Sequence, residues 1–241
     1  MHDAILLPEM TGTVPLYYVG VGASAGGLEA LEAFFTAMPA DSAMAFIVIQ
    51  HLSPDYKSMM VELLSKRTAM PVRRAEEGML VEANSVYLIP PKKNLTIFHG
   101  KLLLSESDHS RGINLPIDIF LRSLADDQAE KAIGVILSGT GSDGVRGIRA
   151  IKEAGGMVTV QSEESARFDG MPRAAIGTGL ADFILPPDEM PPKLIAFSRH
   201  PYAVKADRPI LLSDEDGLTR IFALLRERTR VDFTFYKPST M

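Results

Sequence analysis

The sequence predicts an α/β fold, a mainly parallel doubly wound sheet with flanking helices and a small β-hairpin. Three observations carry that prediction. Residues 16–21 form an apolar, β-branched and aromatic run, and after a glycine turn Leu28, Leu31, Phe34 and Phe35 follow at helical spacing. Strand, glycine turn and helix return in the same succession at 132–154. Residues 44–50 are nearly continuous in apolar side chains, as strands buried on both faces of a parallel sheet are.

The remaining elements follow in order. Residues 1–14 read as an irregular lead-in, and the first helix ends at Met38-Pro39. The second strand runs into His51-Leu52-Ser53-Pro54-Asp55, with Ser53 or Asp55 a cap for a helix over 56–67. A more irregular stretch begins at Val72 and contains short strands at 85–89 and 95–104, the latter turning at His99-Gly100 as a hairpin. After a polar loop at 105–114, Pro116 opens a helix to about Asp127. A third buried strand, 132–137, leads through Ser138-Gly139-Thr140-Gly141-Ser142-Asp143-Gly144 into a helix over 145–154. Gly155-Gly156 ends that helix, and 157–160 is another strand. Met171-Pro172-Arg173 begins a short helix, 181–185 a last strand, and 186–212 reads as a proline-rich linker around a short helix.

Composition narrows the function. The 241 residues suffice for one large domain with an appendage. With no cysteine, a disulfide scaffold, a thiolate metal site and a cysteine nucleophile are excluded. A net charge of −5 offers no global basic surface for nucleic acid. The start lacks the pattern of a signal peptide, and the longest apolar run, about seven residues, is far from the ~20 a spanning helix needs. A soluble, cytoplasmic protein without membrane insertion is expected.

Gly22-Ala23-Ser24-Ala25-Gly26 fits G-x-S-x-G, the sharp turn that lifts a serine hydroxyl above the end of a sheet. The same loop fits a dinucleotide-binding G-x-G-x-x-G/A as Gly20-Val21-Gly22-Ala23-Ser24-Ala25, although the second strand ends in Gln50-His51 rather than in an acidic residue. A third reading makes Ser24 a plain helix cap. Ser24, His51 and Asp143 each follow an apolar strand, so a parallel sheet brings all three to one edge. A serine hydroxyl needs a base, which the near-neutral imidazole of His51 can be, and a carboxylate to hold that imidazole, the role open to Asp143. The N–H groups of Ala25 and Thr140 in the two glycine turns are the candidates for an oxyanion hole. Asp143 could equally be a cap of the helix after it. His2, His99, His109 and His200 lack metal-ligand spacing, and Asp118, Glu163 and Glu164 read as solvated or capping charges, so no metal or cofactor is expected.

Val19-Gly20-Val21-Gly22-Ala23-Ser24-Ala25-Gly26-Gly27, Gln50-His51, Pro90-Pro91, the stretch 134–144 and Gly170-Met171-Pro172-Arg173 together resemble the catalytic domain of the chemotaxis protein-glutamate methylesterases (CheB-type). The resemblance covers about residues 15–190 with every block in order. It implies hydrolysis of γ-glutamyl methyl esters on chemoreceptor cytoplasmic helices, with deamidation of receptor glutamines in some members. Methylated chemoreceptors or similar signalling proteins are thus the implied partners, and the implied triad falls on Ser24, His51 and Asp143. Ala25 stands where the family commonly has threonine, and Thr140 where methionine is frequent. Family members often carry a receiver domain ahead of the catalytic one; about fifteen residues precede the first strand, so control by a receiver in the same chain is not expected.

Beyond the linker, Ser213-Asp214-Glu215-Asp216-Gly217 caps an amphipathic helix with Leu218, Ile221, Phe222, Leu224 and Leu225 on its apolar side. With residues 231–237 it resembles the opening of the chemotaxis receptor methyltransferases. Residues 213–241 are accordingly expected to begin a methyltransferase-like region of an esterase–methyltransferase (CheB/CheR) fusion.

Overall fold

The structure is a computed structural model that describes residues 13–50, 59–107 and 114–199. The chain divides into two units, Met1–Val204 and Lys205–Met241, and all described residues belong to the first. Their elements are β1 (Tyr17–Ala23), α1 (Gly27–Ala37), β2 (Met44–Gln50), α2 (Met60–Ser65), β3 (Val72–Arg74), β4 (Met79–Leu80), β5 (Ser85–Leu88), β6 (Lys93–Phe98) and β7 (Lys101–Glu106). There follow α3 (Pro116–Gln128), β8 (Ala132–Ile136), α4 (Val145–Glu153), β9 (Met157–Gln161), α5 (Gly170–Ile176), β10 (Phe183–Leu185) and α6 (Met190–Arg199).

Seven strands form one sheet in the order β10-β9-β8-β1-β2-β5-β3, every neighbouring pair parallel. The continuous apolar runs predicted this, because each central strand is covered on both faces. Val19, Val21, Phe46 and Val48 pack with Leu31, Phe34 and Phe35 of α1 and with Leu194 and Phe197 of α6. Tyr18, Ala45 and Ile47, the alternate residues, pack with Phe120, Leu121 and Leu124 of α3 and with Ile148 and Ile151 of α4. The chain runs from β1 through α1 to β2 and outward to the β3 edge, then returns with β8 on the other side of β1. That reversal makes the gap between β1 and β8 the switch point of the sheet, where ligands bind beyond the strand ends.

The hairpin forms as β6–β7, with His99 (φ 49°) and Gly100 (φ 71°) both left-handed at its tip. It gains a third strand, β4, that the sequence did not announce, because two residues carry no period. The strand expected at 85–89 lies in the main sheet beside β2. The helix expected over 56–67 is described only as Met60–Ser65; its proposed caps Ser53 and Asp55 lie outside the described residues.

The short helix expected within the linker over 186–212 forms as α6, and it packs into the core of the domain. Met190, Leu194 and Phe197 of α6 are buried, and the Phe197 ring lies 5.4 Å from that of Tyr17. Prolines at 191 and 192 occupy the first turn of α6, where a missing N–H costs nothing. Among the described residues no helix is long and apolar enough to cross a membrane. The methyltransferase-like stretch 213–241 lies outside the described residues.

Candidate active site at the switch point

Ser24 follows β1 and the 138–144 loop follows β8, so adjacent parallel strands deliver both to one edge. The two turns are bonded directly: the Ser24 N–H donates to the Ser138 carbonyl at 2.9 Å, and the Leu137 N–H to Gly22 at 2.9 Å. The approach is close enough to require glycine at 139, where an added Cβ would lie 2.9 Å from Ser24 Cβ and 2.2 Å from Met171 Sδ.

Ser24 does not cap the helix behind it. The cap position of α1 is Gly26, left-handed at φ 68°, and no side chain caps that end. The plain capping reading is thereby removed. The dinucleotide reading also fails at its first two glycines, since Gly20 and Gly22 lie within β1 rather than in a turn. A Cβ on Gly20 would meet Leu121 Cδ2 at 2.5 Å, and one on Gly22 would meet Ile117 Cγ2 at 2.5 Å. These glycines are small because α3 crosses them.

Asp143 is buried at 3% exposure. The helix it precedes, α4, has Gly144 at its cap position, so Asp143 is not the cap of that helix. Its two carboxylate oxygens accept from the N–H groups of Ile117 at 3.0 Å and Asp118 at 2.9 Å, in the first turn of α3. Asp143 thus has a fixed orientation before any imidazole meets it. His51 lies outside the described residues. It is the residue after Gln50, and Gln50 pairs with Ala23, the residue before Ser24.

The N–H groups of Ala25 and Thr140 make no hydrogen bond within the described residues, as an oxyanion hole requires of its donors, whereas the Gly139 N–H is taken by Phe168 at 2.9 Å. Thr140 is exposed and Ala25 half-buried.

Two residues important to this edge carried no assigned role in the sequence. Ser138, 1% exposed, donates its hydroxyl to the Ala25 carbonyl at 2.9 Å and accepts the Phe168 N–H at 3.0 Å. Gln161, at the end of β9, accepts the Ser138 N–H at 2.8 Å and donates to the Ser165 carbonyl at 3.0 Å. Polarity at the very end of an apolar strand was the available signal for both. The half-exposed Phe168 walls this side, with the Arg167 guanidinium 5.9 Å from its ring centre. Among the described residues no cluster of histidines and carboxylates could hold a metal.

Residues 19–194 match the protein family described as CheB methylesterase. The chain is 37% identical to a protein-glutamate methylesterase/protein-glutamine glutaminase of Burkholderia orbicola, over 74% of this chain and 53% of that protein. A protein of the same description from Moorella thermoacetica is 33% identical over 74% of this chain and 43% of its own length. A 104.1 kDa protein of Rhodobacter capsulatus is 38% identical over 76% of this chain and 21% of its own. The chain therefore spans about half or less of the length of these relatives. The crystal structure of the Thermotoga maritima CheB methylesterase catalytic domain superposes with a TM-score of 0.69 at 30% identity, covering 75% of this chain and 98% of that one.

Proposed function

The chain belongs to the CheB methylesterase family, and on that premise we propose that it is a serine hydrolase that demethylates glutamate γ-methyl esters on chemoreceptor-type proteins. One observation carries the reading: Ser24 and the buried, doubly bonded Asp143 lie in the loops that follow neighbouring parallel strands at the switch point. In the proposed mechanism His51 takes the Ser24 proton as Oγ attacks the ester carbonyl. The tetrahedral oxyanion is met by the N–H groups of Ala25 and Thr140, and methanol leaves with the proton from His51. Water activated by the same histidine then hydrolyses the acyl-enzyme, releasing glutamate and restoring Ser24. Asp143 holds the imidazole in the tautomer this requires and steadies its cation. A glutamine side chain would pass through the same steps with ammonia as leaving group.

The scheme uses no cofactor, and a substrate on the cytoplasmic helices of chemoreceptors supports a cytoplasmic location. Residues 213–241 are proposed to begin a methyltransferase-like region, a reading supported by their sequence pattern alone.

Release of methanol from a methylated receptor fragment, by the wild type and by Ser24→Ala, tests the reading. Release by the wild type that disappears with Ser24→Ala is expected. Equal release by both would end the assignment of Ser24, and no release by either would favour a partner-binding module with a silent site.

A further inference from the structure

Neither helix beside the Asp143 loop has a side-chain cap of its own, for the cap positions are Leu115 in α3 and Gly144 in α4. Each is capped from the other. Asp143, one residue ahead of the α4 cap position, takes the N–H groups of Ile117 and Asp118. Asp118, in the first turn of α3, returns the bond, its Oδ1 accepting the Gly147 N–H of α4 at 2.8 Å. Both carboxylates are buried, Asp118 at 5% and Asp143 at 3% exposure.

We propose that Asp118 is a positioning residue for the esterase reaction, holding the first turn of α4 on α3 so that Asp143 keeps the orientation His51 needs. This rests on the reading of Asp143 as a triad member. The loop that carries Asp143 contains Gly139, Gly141 and Gly144, the last two left-handed at φ 81° and 101°, and such backbone holds no orientation by itself. Its position is set at two points instead, where Asp143 grips α3 and where Asp118 grips α4. The helices also touch closely at Gly147, where a Cβ would fall 2.5 Å from Leu121 Cβ. Without the Asp118 bond, α4 can move on α3 and carry Asp143 with it. A misplacement of about 1 Å in a catalytic group costs about a hundredfold in rate.

Three variants of the whole chain, assayed for methanol release beside the wild type and Ser24→Ala, test this. Asp118→Leu, similar in size but without an acceptor, is expected to lose about a hundredfold in kcat with KM within about twofold. Asp118→Asn keeps an oxygen for the Gly147 N–H and is expected to restore kcat to within about fivefold of wild type. A folded Asp118→Leu with wild-type kcat, a loss confined to KM, or an Asn variant as slow as the Leu variant would each overturn the proposal. Should Asp118→Leu fail to fold, Gly147→Ala decides, since its Cβ pushes α4 off α3: reduced kcat at unchanged KM supports the proposal, and wild-type kcat sinks it. A wild type that releases no methanol, or a Ser24→Ala variant as active as wild type, marks failure of the esterase reading itself and takes this inference with it.

Discussion

The hydroxyl of Ser138 donates to the carbonyl oxygen of Ala25 at 2.9 Å, joining the turn after β8 to the turn after β1 across 113 residues of chain. Ser138 Oγ also accepts the Phe168 N–H, so one buried hydroxyl ties three loops together at the edge where Ser24 stands. Ser138→Ala removes that tie and takes one partner each from the Ala25 carbonyl and the Phe168 N–H. We expect it to cost about 1–3 kcal/mol of stability in urea unfolding and to lower kcat for methanol release.

Asp143→Asn keeps the size of the side chain but cannot hold a histidine as a carboxylate does. On the proposed mechanism kcat falls by about three to four powers of ten while the folded structure persists. Circular dichroism and methanol release on the same preparation check both halves of the statement.

Gly20→Ala and Gly22→Ala separate packing from phosphate binding. Each adds a methyl group against Leu121 or Ile117 with no room for it. A loss of about 1–3 kcal/mol is expected for each, read as a lowered melting temperature. Dinucleotide should bind neither these variants nor the wild type in calorimetric titration.

Phe197→Ala tests where the domain ends. The ring is buried against Tyr17 in the core under α6, so a loss of about 3–5 kcal/mol is expected. A loss near zero would return α6 to the linker.

Asp118 makes stability depend on pH in a known direction. Burial, with the Asp143 charge adding to it, raises its carboxyl above the ordinary value, while the N–H groups of Gly147, Arg146 and Gly144 oppose the shift. A raised carboxyl binds its proton more tightly folded than unfolded, so ionising it costs folding free energy. That cost is absent below the ordinary carboxylate pKa and complete above the raised one. The stability of Asp118→Asn relative to wild type should therefore improve as pH rises from about 4 toward neutral. Urea midpoints measured for both proteins across that range show the trend or refute it.

Much of this architecture was legible in the sequence, and the exceptions share a cause. Strand runs such as 44–50 and 132–137 announce themselves because burial on both faces leaves an unbroken apolar run. Ser24 and Asp143 stand out as candidates in the sequence because strand ends in a parallel sheet are where chemistry collects. The need for small residues at Gly20 and Gly22 is imposed by α3, nearly a hundred positions later, so the local pattern suggested a phosphate loop instead. Asp118 read as a solvated or capping charge; it does cap, but on another helix and under cover, which no local window reveals. Glu163 was read more closely, since it is a surface charge paired with Arg173. Prolines at 186, 187, 191 and 192 marked a linker around a short helix, and what they hid is that Leu194 and Phe197 bury that helix in the core.

β1 pairs with β2, which follows it closely, and with β8, more than a hundred residues further on. During synthesis the serine turn therefore emerges long before the strand that completes its surroundings. Until the segment holding Ser138 and Asp143 leaves the ribosome, the nascent chain carries a half-paired strand with Ser24 beyond its end and the neighbouring turn still missing. On the proposed mechanism catalytic competence arrives only with the last strands of the sheet, so the appearance of activity is itself a clock for closure of the fold.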